Sequence, residues 1–117
     1  QVWEAAMAAG AYKAENLVAI VDKNNLQAQG KIVERMDSNP IIPKWESFGW
    51  RVIECDGHDM EAILTALDAA DEKTGKPTVI IANTVKGKGV SFAENAVGYH
   101  NGALTEETYR QALEELE

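Results

Sequence analysis

The sequence has 117 residues, 45% hydrophobic and 26% charged. That balance fits one packed domain or part of one, and it excludes disordered, collagen-like and coiled-coil chains. Nineteen acidic against eleven basic residues leave a formal charge of −8; with no basic stripe, this argues against nucleic-acid binding. No apolar run approaches the roughly 18 residues that span a bilayer, and the single cysteine, Cys55, excludes an internal disulfide and suits a reducing cytoplasm.

Residue 1 is Gln rather than Met, and no charged-then-apolar leader precedes the first helical pattern, so the chain is expected to be a piece of a longer protein. Gln1–Tyr12 is alanine-rich and predicts a helix, with Trp3, Met7 and Gly10 along one side and small residues suited to close packing on a sheet. Leu17-Val18-Ala19-Ile20-Val21 is a short β-branched run ending at Asp22, the pattern of a fully buried parallel strand. Residues 26–40 read as irregular, punctuated by Gly30 and Pro40. A short helix is expected to start at Pro43, carry Trp45 and Phe48, and stop at Gly49. Trp50–Cys55 alternates and predicts a second strand. Asp59 is a good N-cap for a helix through about Lys73, with Met60, Ile63, Leu64 and Leu67 at the spacing of one buried face. Gly75 and Pro77 end that element, and Thr78–Asn83 predicts a third buried strand. A glycine-punctuated loop follows at Val85–Val90. Thr105 caps a last helix whose expected buried face is Tyr109, Ala112, Leu113 and Leu116.

The alternation of helix and strand predicts an α/β fold, a three-layer parallel sheet with helices on both faces. Ligands of such sheets bind beyond the carboxyl ends of the strands, here Asp22–Leu26, Asp56–Asp59 and Asn83–Gly89. At the first end a carboxylate and two amides offer hard oxygens that suit magnesium, although Asp and Asn also favour tight turns. At the second, His58 between two carboxylates suits a base or a ligand, but a turn with an N-cap explains the same residues. The third, Lys86-Gly87-Lys88-Gly89, lacks P-loop spacing; it fits either a loop lying against an anionic ligand or an exposed turn. His100 lies among glycines in the loop before the last helix, a setting for a functional histidine or an exposed polar residue. Cys55, with no base beside it, reads as a structural thiol. Trp3, Trp45, Phe48 and Trp50 read as core rather than as a binding platform.

The residues at 1–13, Asn16–Asp22 and Asn24-Asn25 closely resemble transketolase, best its short N-terminal-subunit type. The likeness continues through Lys44-Trp45-Glu46, Phe48-Gly49-Trp50, Gly57-His58-Asp59, Gly75–Thr78 and Thr84–Val90, so it covers essentially the whole chain. It implies an incomplete thiamine-diphosphate-binding fold, with residues 1–117 a fragment of one diphosphate-side domain. It also implies thiamine diphosphate and a divalent metal, magnesium or calcium, used to transfer a two-carbon ketol unit between sugar phosphates. The family's cofactor motif begins with Gly-Asp-Gly and ends with Asn-Asn; only the ending is present here.

By that resemblance Asn24 matches a metal ligand through its side-chain oxygen, Leu26 one through its backbone carbonyl, and Asp22 an acid near the cofactor. His100 resembles the histidine near the diphosphate and the incoming sugar, and so is both a catalytic and a cofactor-binding candidate. Where the family usually has His-Gly-x-Ala-Pro, this chain reads His100-Asn101-Gly102-Ala103-Leu104. His58 is not promoted, because Asp59 capping explains its motif. The implied partner is a pyrimidine-binding domain or C-terminal subunit in a homo- or hetero-oligomer, without which the fragment is expected to be inactive. Deoxyxylulose-phosphate synthase shares Gly-His-Asp and a Lys-Gly-x-Gly loop, but Val2-Trp3-Glu4 and Phe48-Gly49-Trp50 favour transketolase. A decayed interaction domain that keeps only the fold is the remaining rival.

Overall fold

The computed structural model describes residues 1–117 and divides them into two compact units: Gln1–Lys23 with Asn39–Asn83, and Asn24–Ser38 with Thr84–Glu117. The first unit holds helix α1 (Val2–Ala11), strand β1 (Val18–Lys23), helix α3 (Ile41–Ser47), strand β4 (Arg51–Asp56), helix α4 (Met60–Ala70) and strand β5 (Thr78–Asn83). The second holds β2 (Leu26–Gln27), β3 (Gly30–Lys31), α2 (Ile32–Arg35), a 3-10 turn (Val97–His100) and α5 (Glu106–Leu116).

The three strands of the first unit form a parallel sheet in the order β1-β5-β4. Strand β5 is central, and Val79 and Ile81 are wholly buried, as its unbroken β-branched run predicts. One face of the sheet carries the main core, where Ala6, Ala9, Trp45, Trp50, Val79 and Ile81 cluster, with Trp3, Ala19, Val21 and Val52 packed around them. The other face carries Ile80 under Ala66 and Ala70 of α4. The aromatics are core, as expected. The Trp45 ring meets Trp50 edge-on at 4.7 Å and Trp3 at 5.4 Å. The Trp50 indole N–H donates to the Ala6 carbonyl at 2.8 Å, tying β4's entry to α1. At Gly10 the backbone of α1 lies directly against the end of α3: a Cβ there would lie 1.8 Å from the Phe48 carbonyl oxygen.

Several expectations are corrected. Strand β1 is not fully buried. Within residues 1–117 it lies at the edge of the sheet with alternating exposure: Ala19 and Val21 pack into the core, while Val18 and Ile20 lie on the other face, and Ile20 is 62% exposed. The buried face of α4 is not Met60, Leu64 and Leu67, which stay exposed; the sheet is met by Ala66 and Ala70. Small residues win that face because they bring the helix backbone close to the flat surface of Ile53, Cys55 and Ile80. In α1, by contrast, the small residues Ala6 and Ala9 do pack on the sheet as expected, and Met7 is exposed. In α5 only Ala112 of the four expected residues is buried. Residues 26–40, read as irregular, contain β2, β3 and α2; strands of two residues are too short to show a period. Helix α3 starts at Ile41, two residues before Pro43, a first-turn site where a missing N–H costs nothing. Strands β1 and β4 run from Val18 and Arg51 to Lys23 and Asp56, each shifted toward the C-terminus, and α4 ends at Ala70 rather than near Lys73.

Candidate functional site

The three strand ends have different fates. After β4, the Asp56 carboxylate accepts the His58 N–H at 2.8 Å, and Asp59 accepts the N–H groups of Glu61 and Ala62 at 2.9 and 3.2 Å. This is a turn followed by an N-cap, so the plain structural account of Gly57-His58-Asp59 holds. Cys55 is half-buried beneath α4; burial first, and then the Asp56 carboxylate, push its thiol pKa up, which fits an inert packing residue.

The second unit contains a cavity of about 520 Å³ lined by Asn24, Asn25, Leu26, Lys31, Val33, Thr84, Val85 and Asn95. Its wall is a short hairpin. Asn24 Oδ1 accepts the Leu26 N–H at 2.9 Å, Asn25 sits at φ 60°, and its carbonyl accepts the Ile32 N–H at 3.1 Å. Asparagine tolerates that left-handed conformation better than most residues. Leu26 pairs with Lys31 and Gln27 with Gly30 across the antiparallel ladder. The opposite wall is the start of the glycine loop. There the Asn95 N–H donates to the Lys86 carbonyl at 2.9 Å, and Asn95 itself takes φ 55°. Gly87 is required by its φ of 74° and by crowding, since a Cβ would lie 2.4 Å from the Ala93 carbonyl oxygen. Glu94 closes the loop by accepting the Gly89 N–H at 3.1 Å and lying 3.6 Å from the Lys88 ammonium. The Gly89 amide and the Lys88 charge are thus already engaged within the loop.

Of the predicted site residues, Asn24 and Leu26 are brought together on this cavity. Asp22 is the next-to-last residue of β1 in the sheet unit, in register with Ala82 of β5. His100 ends the 3-10 turn, which packs against β2, the strand of Leu26, although its imidazole is not among the cavity's lining groups. Thr105 caps α5 in a reciprocal box with Thr108. Farther along α5, the Glu115 carboxyl pKa is lowered by the Ser91 hydroxyl, then by the Ser91 amide and Gln111, fastening the helix to the loop. Lys31, Val33 and Asn95 were not singled out by the sequence. Only Asn95 carried a signal, an asparagine in a loop where φ turns positive.

The donors fit a hard cation in part. The Asn24 side-chain oxygen and the Leu26 carbonyl are the right oxygen types. Within residues 1–117, no group of three or more His, Cys, Asp or Glu is placed to hold a metal ion.

Residues 2–116 match the family described as transketolase, thiamine diphosphate binding domain. The chain belongs to the transketolase family. The 6-deoxy-6-sulfo-D-fructose transketolase subunit of Clostridium sp. is 44% identical over all of this chain, which covers 42% of that protein. An apulose-4-phosphate transketolase subunit of Phocaeicola vulgatus is 42% identical over 98% of the chain and 41% of its own length. Among solved structures, Campylobacter jejuni transketolase superposes with a TM-score of 0.89 at 34% identity, covering 97% of this chain and 18% of that one. The chain therefore spans about two-fifths of these curated relatives. As a transketolase domain it has the parallel sheet of the fold and the thiamine diphosphate-binding character of its family, and no helix long and apolar enough to cross a membrane.

Proposed function

We propose that residues 1–117 form part of the diphosphate-binding domain of a transketolase that transfers a two-carbon ketol unit between phosphorylated or similarly charged sugars. The observation that carries this reading is the convergence of Asn24, Asn25 and Leu26 with Thr84, Val85 and Asn95 on one cavity in a chain of this family. In this reading magnesium, or calcium, is held by the Asn24 side-chain oxygen and the Leu26 carbonyl, and the carboxylate that completes its shell comes from outside these residues. A bridging cation explains how an acidic protein of net charge −8 takes a strongly anionic cofactor. Thiamine diphosphate, when bound, supplies a ring that stabilises carbanions. Asp22 is assigned to the cofactor's vicinity, and His100 to the diphosphate and the hydroxyls of the incoming sugar, where it holds or moves a proton. The partner is a pyrimidine-binding domain or a second subunit, in keeping with relatives that are named as subunits. The assembly is placed in the cytoplasm.

The test is calorimetric titration of the full-length protein, with its partner, by thiamine diphosphate with and without magnesium. Metal-dependent binding together with ketol transfer is the expected result. If neither occurs, a non-catalytic interaction domain becomes the better reading. The isolated 117-residue chain is expected to show no turnover. His100→Ala is expected to lower kcat about 100-fold while leaving metal-dependent cofactor binding within a few-fold. Unchanged turnover would remove His100 from the chemistry.

A further inference from the structure

We propose that Lys31 is an anion-binding side chain of the cavity and that its ammonium takes a phosphate-type group of the molecule bound there; this rests on the proposed function. The cavity has a single charged side chain in its lining, and that charge is positive. The chain as a whole carries 19 acidic residues, yet none lines this space. A cavity without carboxylates and with a cation in its lining favours an anionic occupant; the same is true of the space lined by Lys23 and Asn39–Pro43, but that one holds none of the candidate metal ligands.

The hairpin fixes where the lysine stands. Lys31 is directly opposite Leu26 in the antiparallel register. Opposite residues put their side chains on the same face, with Cβ atoms roughly 5 Å apart. Both ends of the pairing are held: the Leu26 N–H by Asn24, and the Ile32 N–H by the Asn25 carbonyl. Ala28 and Gln29 make the turn between the strands, and Gly30, at φ 140°, pairs with Gln27 directly after it. Lys31 thus faces the same space as the leucine whose carbonyl is assigned to the metal.

Its charge is also uncommitted. Lys88 of the glycine loop is engaged by Glu94 and Lys73 by Asp71, whereas Lys31 forms no ion pair. A flexible ammonium without a carboxylate partner can add a charge-assisted hydrogen bond to a phosphate-type oxygen at little cost. Two sources offer that oxygen: the diphosphate of the cofactor and the charged end of the sugar.

The experiment uses the full-length protein with its partner, comparing wild type with Lys31→Gln, Lys31→Glu and Lys31→Arg. Each is titrated calorimetrically with magnesium thiamine diphosphate and, separately, with inorganic diphosphate. Each is also assayed with a ketose phosphate and with the same ketose unphosphorylated. If the cofactor supplies the anion, Lys31→Gln raises both dissociation constants about 10-fold, Lys31→Glu raises them further, and Lys31→Arg stays near wild type. If the sugar supplies it, cofactor binding is unchanged and KM rises about 10-fold for the phosphorylated ketose only. A Lys31→Glu protein that binds cofactor, diphosphate and sugar phosphate as wild type does overturns the proposal. Wild type that binds inorganic diphosphate through Lys31 but not thiamine diphosphate would refute the cofactor reading and leave the lysine's role standing. Wild type that binds neither refutes both.

Discussion

Asn24→Ala, in the full-length protein with its partner, is expected to weaken metal-dependent cofactor binding about 100-fold or more, while Leu26→Ala changes it only a few-fold. Both residues are assigned to the same cation, but they would reach it by different atoms. Removing the Asn24 side chain deletes a donor oxygen outright. It also frees the Leu26 N–H, which Asn24 Oδ1 accepts at 2.9 Å, so the hairpin that presents the second donor loosens as well. Loss of the groups that orient a metal's ligands alone costs roughly 10–100-fold in affinity, and here the ligand and the orienting bond are one side chain. Leu26→Ala keeps its backbone carbonyl, and Leu26 is only half-buried, so little packing is lost. Asn24→Asp, which retains an acceptor and a hard oxygen, is expected to fall between the two. Titration at several magnesium concentrations separates the cases. Equal losses for Asn24→Ala and Leu26→Ala would mean that the cavity is recognised by shape rather than through a cation.

Gly10→Ala is expected to destabilise the protein by about 3 kcal/mol, the upper range for overpacking. The added methyl would sit 1.8 Å from the Phe48 carbonyl oxygen and 3.0 Å from its carbon. Neither is the tip of a flexible side chain. Relief therefore requires α1 to move away from the end of α3. That movement would pull the Ala6 carbonyl from the Trp50 indole and open the Trp3–Trp45–Trp50 cluster. Gly49→Ala is the control. Gly49 has φ 83° but nothing within 4 Å of a Cβ, so it is expected to lose only about 1 kcal/mol through backbone strain. Denaturant melts followed by tryptophan fluorescence read both, because the cluster is the probe. A Gly10→Ala protein as stable as Gly49→Ala would show that the two helices can separate freely.

The sequence made the class of fold legible because it depends on period and punctuation. Thr78–Asn83 was recognised to the residue, since a continuous β-branched run bounded by Pro77 has few other uses. The Asp59 and Thr105 caps were recognised for the same local reason. Which face each helix buries was not legible. In α4 and α5 the large residues advertise a face, but alanines make the contact, so the pattern points the wrong way. The edge position of β1 was hidden as well, because a run such as Leu17–Val21 looks the same whether or not both faces are covered. At the site, Asn24 and Leu26 were legible through chemistry and resemblance. Lys31 and Asn95 were not, because only a two-residue hairpin and a closed loop bring them to the cavity, and neither leaves a periodic trace.

The order of strands also sets a timetable for synthesis. The strand at the centre of the sheet, β5, is the last of the three to be made. Within residues 1–117, strands β1 and β4 do not pair with each other, and their mutual placement waits for Thr78–Asn83 to slot between them. Meanwhile α1 and α3 can meet through Trp3 and Trp45, contacts that need no sheet. A nascent chain stopped before β5 would leave the edges of β1 and β4 that face each other unfilled, and unfilled strand edges favour aggregation. Codon choice and ribosome pausing in the stretch before Thr78 therefore bear directly on how much of this domain reaches its folded form.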